Sequence, residues 1–204
     1  MHSVRIWGKN TLTANRPTIL GMSVIGIIAI MYLVSGCGSA TTAASKPKTV
    51  TTVNFAIVPQ APGAQSGWVS YLPQLNFAVP AHTVITVNIE NYDLGGATMS
   101  KSWPYTTVTG VVNKTANENG HPISSLPINE IAHTFTIPNL NVNVPITLNA
   151  DSGQTYATVS FQFNSGAPGT YLVRCFVPCG TGSTGWDGPM ATNGMMMGQI
   201  TVVG

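Results

Sequence analysis

Charge is what this chain has least of. Asp, Glu, Lys and Arg make up 7% of its 204 residues, against roughly 25% in an average soluble domain. Because 44% of the residues are hydrophobic, disorder driven by self-repelling charge is excluded. Beyond Cys37 the cations are Lys46, Lys48, Lys101, Lys114 and Arg174, scattered among six acidic residues. No basic stripe exists to neutralise phosphates, so the chain is no nucleic-acid binder. The carboxylates form no close pair of the glycosidase kind, and no nucleophile-elbow motif occurs. The chain therefore does not read as a hydrolytic enzyme. Also missing after Cys37 is any long run of helical period, while 21 Gly and 14 Pro punctuate the chain; a helical bundle is excluded.

The one long apolar run is at the N-terminus. Arg5, Lys9 and Arg16 precede Thr18 to Val34, and Ser35-Gly36-Cys37 follows directly. A positive flank, an apolar stretch and small residues make a secretory signal. The run, about 17 residues, is at the lower edge of what crosses a bilayer. Leu33-Val34-Ser35-Gly36-Cys37 looks like a bacterial lipobox, which makes Cys37 the expected lipidation site; an uncleaved N-terminal membrane helix is the alternative. Either way the remainder is expected on the extracytoplasmic face of the cell membrane. Residues 38–50, small, polar and Pro-containing, read as a flexible tether, and 51–204 as one globular domain.

That domain reads as β throughout. Thr83-Val-Ile-Thr-Val-Asn-Ile-Glu90 and Tyr156-Ala-Thr-Val-Ser-Phe-Gln-Phe163 alternate polar with apolar residues, the period of a half-buried strand. Similar segments are Thr51 to Val58, Gln74 to Val79, Tyr105 to Val112, Ala132 to Ile137, Val144 to Asn149, Thr170 to Cys175 and Gln199 to Val203. Short strands between turn signals imply a two-sheet β-sandwich or Greek-key barrel. From Leu94 to Asn129 the pattern weakens and predicts long loops, with room for a short helix.

Chemistry concentrates in the tail. A strand delivers Cys175, a Gly-rich loop carries Cys179, Met190, Met195, Met196 and Met197, and a final strand returns. Imidazole, thiolate and thioether together form the soft donor set that selects copper over calcium or magnesium. His133, from a mid-chain strand, supplies the imidazole. The expected ligands are His133, Cys175, Cys179 and Met196, with Met190 as the alternative axial sulfur. In an exported protein Cys175 and Cys179 are equally a disulfide candidate. His121, in a loop, is a reserve ligand, and His82, at a turn, reads as solvated. Trp68 and Trp186 read as lids.

Ala132-His-Thr-Phe-Thr-Ile-Pro-Asn-Leu-Asn-Val-Asn-Val-Pro145 resembles the stretch around the first copper-ligating His of cytochrome c oxidase subunit II. Cys175-Phe-Val-Pro-Cys179-Gly resembles the Cys-x3-Cys-Gly of its binuclear copper loop. Gly169-Thr-Tyr and Met196-Met-Gly-Gln-Ile-Thr-Val202 are similar to the C-terminal signature of cupredoxins generally. The departures are specific. Ser183 stands where subunit II has a second His, and Gly180 where mononuclear blue-copper proteins have one. The resemblance implies a cupredoxin-like sandwich with a variant copper site. Such a protein would carry single electrons to or from a respiratory oxidase chain. Copper storage or delivery, and a metal-free domain stapled by a disulfide, are the alternatives.

Overall fold

The computed structural model describes residues 49–60, 65, 67–95, 99–148 and 155–204, all within the unit Ala44–Gly204. The signal segment, Cys37 and residues 38–48 of the tether lie outside the described residues.

Alternation in the sequence becomes alternation in burial. Strand β1 (Thr52–Val58) buries Val53, Phe55 and Ile57 while Thr52 and Asn54 face out. Strand β4 (Val84–Asn91) does the same with Ile85, Val87 and Ile89, and β9 (Ala157–Asn164) with Val159, Phe161 and Phe163. With β2 (Ser70–Leu72), β5 (Ala116–Glu118) and β6 (His121–Ile123), they form a six-stranded sheet ordered β2-β1-β4-β9-β5-β6. The second sheet has five strands in the order β3-β11-β10-β7-β8. They are β3 (Asn76–Pro80), β7 (Ile131–Ile137), β8 (Val142–Thr147), β10 (Gly169–Arg174) and β11 (Met197–Val203). Pairs β1–β4 and β3–β11 are parallel and the rest antiparallel. Parallel neighbours cannot be joined by a hairpin, so the chain passes repeatedly from one sheet to the other. The inner faces share one apolar core, in which the rings of Phe55, Tyr71, Phe135 and Phe161 meet. No α-helix occurs among the described residues. The expected membrane-targeting helix falls outside them.

Two details depart from the sequence reading. Val50, assigned to the tether, donates its N–H to the Ala78 carbonyl and packs on the core. Tyr105 to Val112 is not a strand but a covering segment. It makes isolated bridges at Thr107, Thr109 and Val111, pairing with Ser125, Asn143 and Phe163. Gly110 interrupts it at φ +67, where an added Cβ would strike the Asn141 carbonyl. Asn143 then holds the segment down, its amide donating to the carbonyls of Tyr105 and Thr107. That cover explains why β7 and β8 are buried on both faces. The weak pattern after Leu94 resolves into single 3-10 turns and the short β5–β6 hairpin.

Candidate metal centre

β7 and β10 are neighbours in the second sheet, joined at Arg174↔Thr136. This pairing sets Cys175, just past the end of β10, beside His133 in β7. Their backbones lock together around the sulfur. The N–H groups of Thr134 and Val177 both point at Cys175 Sγ, each at 3.4 Å, and Phe176 N–H donates to Thr134 Oγ1 at 2.8 Å. Cys175 N–H itself donates to the Met196 carbonyl at 2.9 Å. A Pro-containing turn then brings Cys179 back, so that its sulfur lies 3.5 Å from that of Cys175. Both are thiols, with no bond between them.

One donor atom from each of His133, Cys175 and Cys179 lies within 4.8 Å of the other two. His133 Nδ1 is 4.0 Å from Cys175 Sγ, and Cys179 Sγ is 3.2 Å from Met190 Sδ. Tetrahedral metal–nitrogen and metal–sulfur bonds separate donors by about 3.5–4 Å. The spacing of this imidazole and these thiols fits one ion. The sulfur in contact with Cys179 is that of Met190, which the 3-10 turn Gly188–Met190 buries completely. Met196 is also fully buried, and its carbonyl accepts the Cys175 N–H. His121 is exposed on β6 and His82 on a turn, both without a place in this group. Trp186 is half-buried, stacked on Trp103 at 6.1 Å, and Trp68 lies against the turn at Gly188.

Asp93 completes the group, and the sequence reading missed it. His133 Nε2 donates to Asp93 Oδ2 at 3.0 Å, His133 being wholly buried and the Asp93 side chain 23% exposed. The segment Asp93-Leu-Gly-Gly96 carries only a turn signal, because the partner lies forty residues away. Burial alone would push the His133 ring down; the Asp93 carboxylate and the Cys175 sulfur outweigh it and raise it to about 9. The hydrogen bond from His133 holds Asp93 below its ordinary range. Burial would push Cys175 up, but Cys179 and His133 together bring it well below the usual thiol value; Cys179 is raised by that neighbour and by burial. The pocket thus draws Cys175 toward the charged form and Cys179 toward the neutral one, while Asp93 favours the charged form of the His133 ring.

These shifts give a pH prediction for the metal-free protein. The Asp93 contribution to stability is present above about pH 4 and is lost as pH falls through its lowered value. The His133 contribution is complete below 6.5 and is lost as pH rises through about 9. Cys175 has the opposite sense to His133, its contribution growing toward pH 9 and lost as pH falls. The diagnostic is therefore a difference. Urea unfolding of wild type minus Asp93→Asn should show the largest gap between about pH 4 and 6.5, shrinking on both sides.

No protein-family model matches the chain, and a search of the curated proteins finds no match. Solved structures do resemble it. Reduced auracyanin from the photosynthetic bacterium Roseiflexus castenholzii is 18% identical, covering 77% of this chain and 100% of that one, with a TM-score of 0.36. Auracyanin B is 20% identical over 79% of this chain and 94% of that one, TM-score 0.35. A rusticyanin mutant is 14% identical over 76% and 80%, TM-score 0.38. The reading of the site rests on its own donors and their spacing.

Proposed function

We propose that the chain is a copper-binding, cupredoxin-like electron carrier. It is held at the extracytoplasmic face of the cell membrane by its N-terminal segment and exchanges single electrons with a respiratory oxidase chain. One observation carries the copper reading: a buried imidazole nitrogen and two thiol sulfurs lie within 4.8 Å of one another, with a thioether sulfur 3.2 Å from one of them. That donor set is soft, and softness favours copper among the common ions. Copper, when bound there, supplies a one-electron couple. The chain supplies rigidity. His133 is embedded in the β7 ladder, and Cys175 is held by two N–H groups from fixed backbone. Donors that scarcely move when the charge changes oppose electron transfer least. Cys37 and the basic, apolar N-terminus support the membrane tether, through lipid or through a helix.

Full-length protein purified in detergent should take up about one copper per chain and show an intense thiolate-to-copper(II) band in the visible. The band should bleach reversibly on reduction. Three sulfurs against one nitrogen favour a second reading, storage or delivery of Cu(I); copper that binds and stays colourless in air would select it. Failure to bind copper, with no titratable thiols, would leave the disulfide-stapled domain.

A further inference from the structure

Asp93 is not an incidental neighbour of His133. Its loop is built to hold it. Asn91, fully buried at the end of β4, donates its amide to the Asp93 carbonyl at 3.0 Å and to the Thr147 carbonyl of β8 at 2.8 Å. The Asn91 side-chain oxygen accepts the Asp93 N–H at 3.1 Å. Gly95, at φ +61, turns the chain so that its own N–H donates to Asp93 Oδ2 at 3.2 Å. A Cβ at Gly95 would collide with Ala132, the residue before His133. The loop is thus seated on the strand that carries the imidazole, and β4 of one sheet is pinned to β8 of the other at this point.

We propose that Asp93 is a positioning residue for the metal centre, and that it fixes the His133 ring with Nε2–H toward the carboxylate and the Nδ1 lone pair toward the sulfurs. This rests on the copper reading above. A carboxylate accepts and cannot donate, so the nitrogen facing Asp93 must be the protonated one whenever Nδ1 binds metal. The anionic partner also makes the imidazole a stronger donor. Strengthened donation stabilises copper(II) more than copper(I), which lowers the reduction potential of the site.

The test uses the full-length protein and its Asp93→Asn variant. Asparagine has nearly the same shape and can still accept at one atom, but it carries no charge. Cu(II) affinity should fall by about 10–100-fold, with Cu(I) affinity falling less. Each tenfold fall in Cu(II) affinity relative to Cu(I) affinity raises the potential by about 59 mV for one electron. Nitrogen NMR of the Cu(I) protein, which is diamagnetic, gives a readout independent of electron transfer. Wild type should show a slowly exchanging His133 Nε2–H, and the variant a fast-exchanging or lost one. Asn91→Ala, which leaves the carboxylate but frees its loop, should move potential and exchange in the same direction by less. An Asp93→Asn protein with wild-type affinity ratio, potential and Nε2–H exchange overturns the proposal and leaves the copper reading intact. Wild-type protein that takes up no copper overturns the copper reading, and this proposal with it.

Discussion

Replacing Cys175 by serine is expected to abolish the visible absorption of the copper-loaded protein. Copper affinity should fall by more than about 100-fold, beyond what loss of an outer-shell partner costs. Cys175 is the donor held most firmly. It is fully buried, receives two backbone N–H groups, and lies between His133 and Cys179. A serine oxygen can accept the same N–H groups, so the fold should survive with a stability loss of about 1 kcal/mol. Circular dichroism establishes that the variant is folded, and copper titration with a visible spectrum gives the result. Retention of an intense band in Cys175→Ser would show that Cys179 carries the thiolate bond. Met190→Leu, close in volume, should keep the band and change the potential, because only the weak sulfur is lost.

The largest loss of stability is expected from Phe135→Ala. Phe135 stands two residues after His133, on the same face of β7, and is wholly buried. Its ring lies 5.3 Å from that of Phe161, 6.2 Å from Phe55 and 6.5 Å from Tyr71, where the two sheets meet. Truncation removes the ring and leaves a cavity that rings on three sides cannot refill, a cost of about 3–5 kcal/mol. For a domain of this size the melting temperature should drop by about 10 °C. The comparison belongs to metal-free protein, since bound metal would add its own stabilisation. Urea unfolding that moves by less than about 1 kcal/mol would mean that the core collapses freely around the gap. Because His133 sits on the same strand, the variant should also bind copper more weakly.

Fold and site are legible in the chain to different depths. The long strands could be read directly, because Val53, Phe55 and Ile57, or Val159, Phe161 and Phe163, alternate with polar residues over a half-exposed sheet. Three-residue strands such as β2, β5 and β6 are too short to show a period. The segment after Tyr105 does alternate, yet it covers β8 instead of joining a ladder, since Gly110 breaks it and Asn143 captures its carbonyls. At the centre, His133, Cys175 and Cys179 stood out by chemistry alone. For the axial sulfur the sequence favours Met196 with Met190 as the alternative, and the contact of Met190 with Cys179 had no signal there, because a sulfur's direction depends on how the loop is wound. The glycine at 180 also acquires a reason. A side chain there would run into the Asp187 and Gly185 carbonyls, so no histidine fits where the resemblance would put one.

By itself, then, the order of residues determined an all-β domain and the soft donors it carries, because alternation and side-chain chemistry are local properties. Only the tertiary structure decided that those donors share one pocket, that Asp93 backs the imidazole, and that the Met190 sulfur touches Cys179. Those facts depend on pairing between strands forty and more residues apart and on the winding of one glycine-rich loop, and neither leaves a mark in neighbouring positions of the chain.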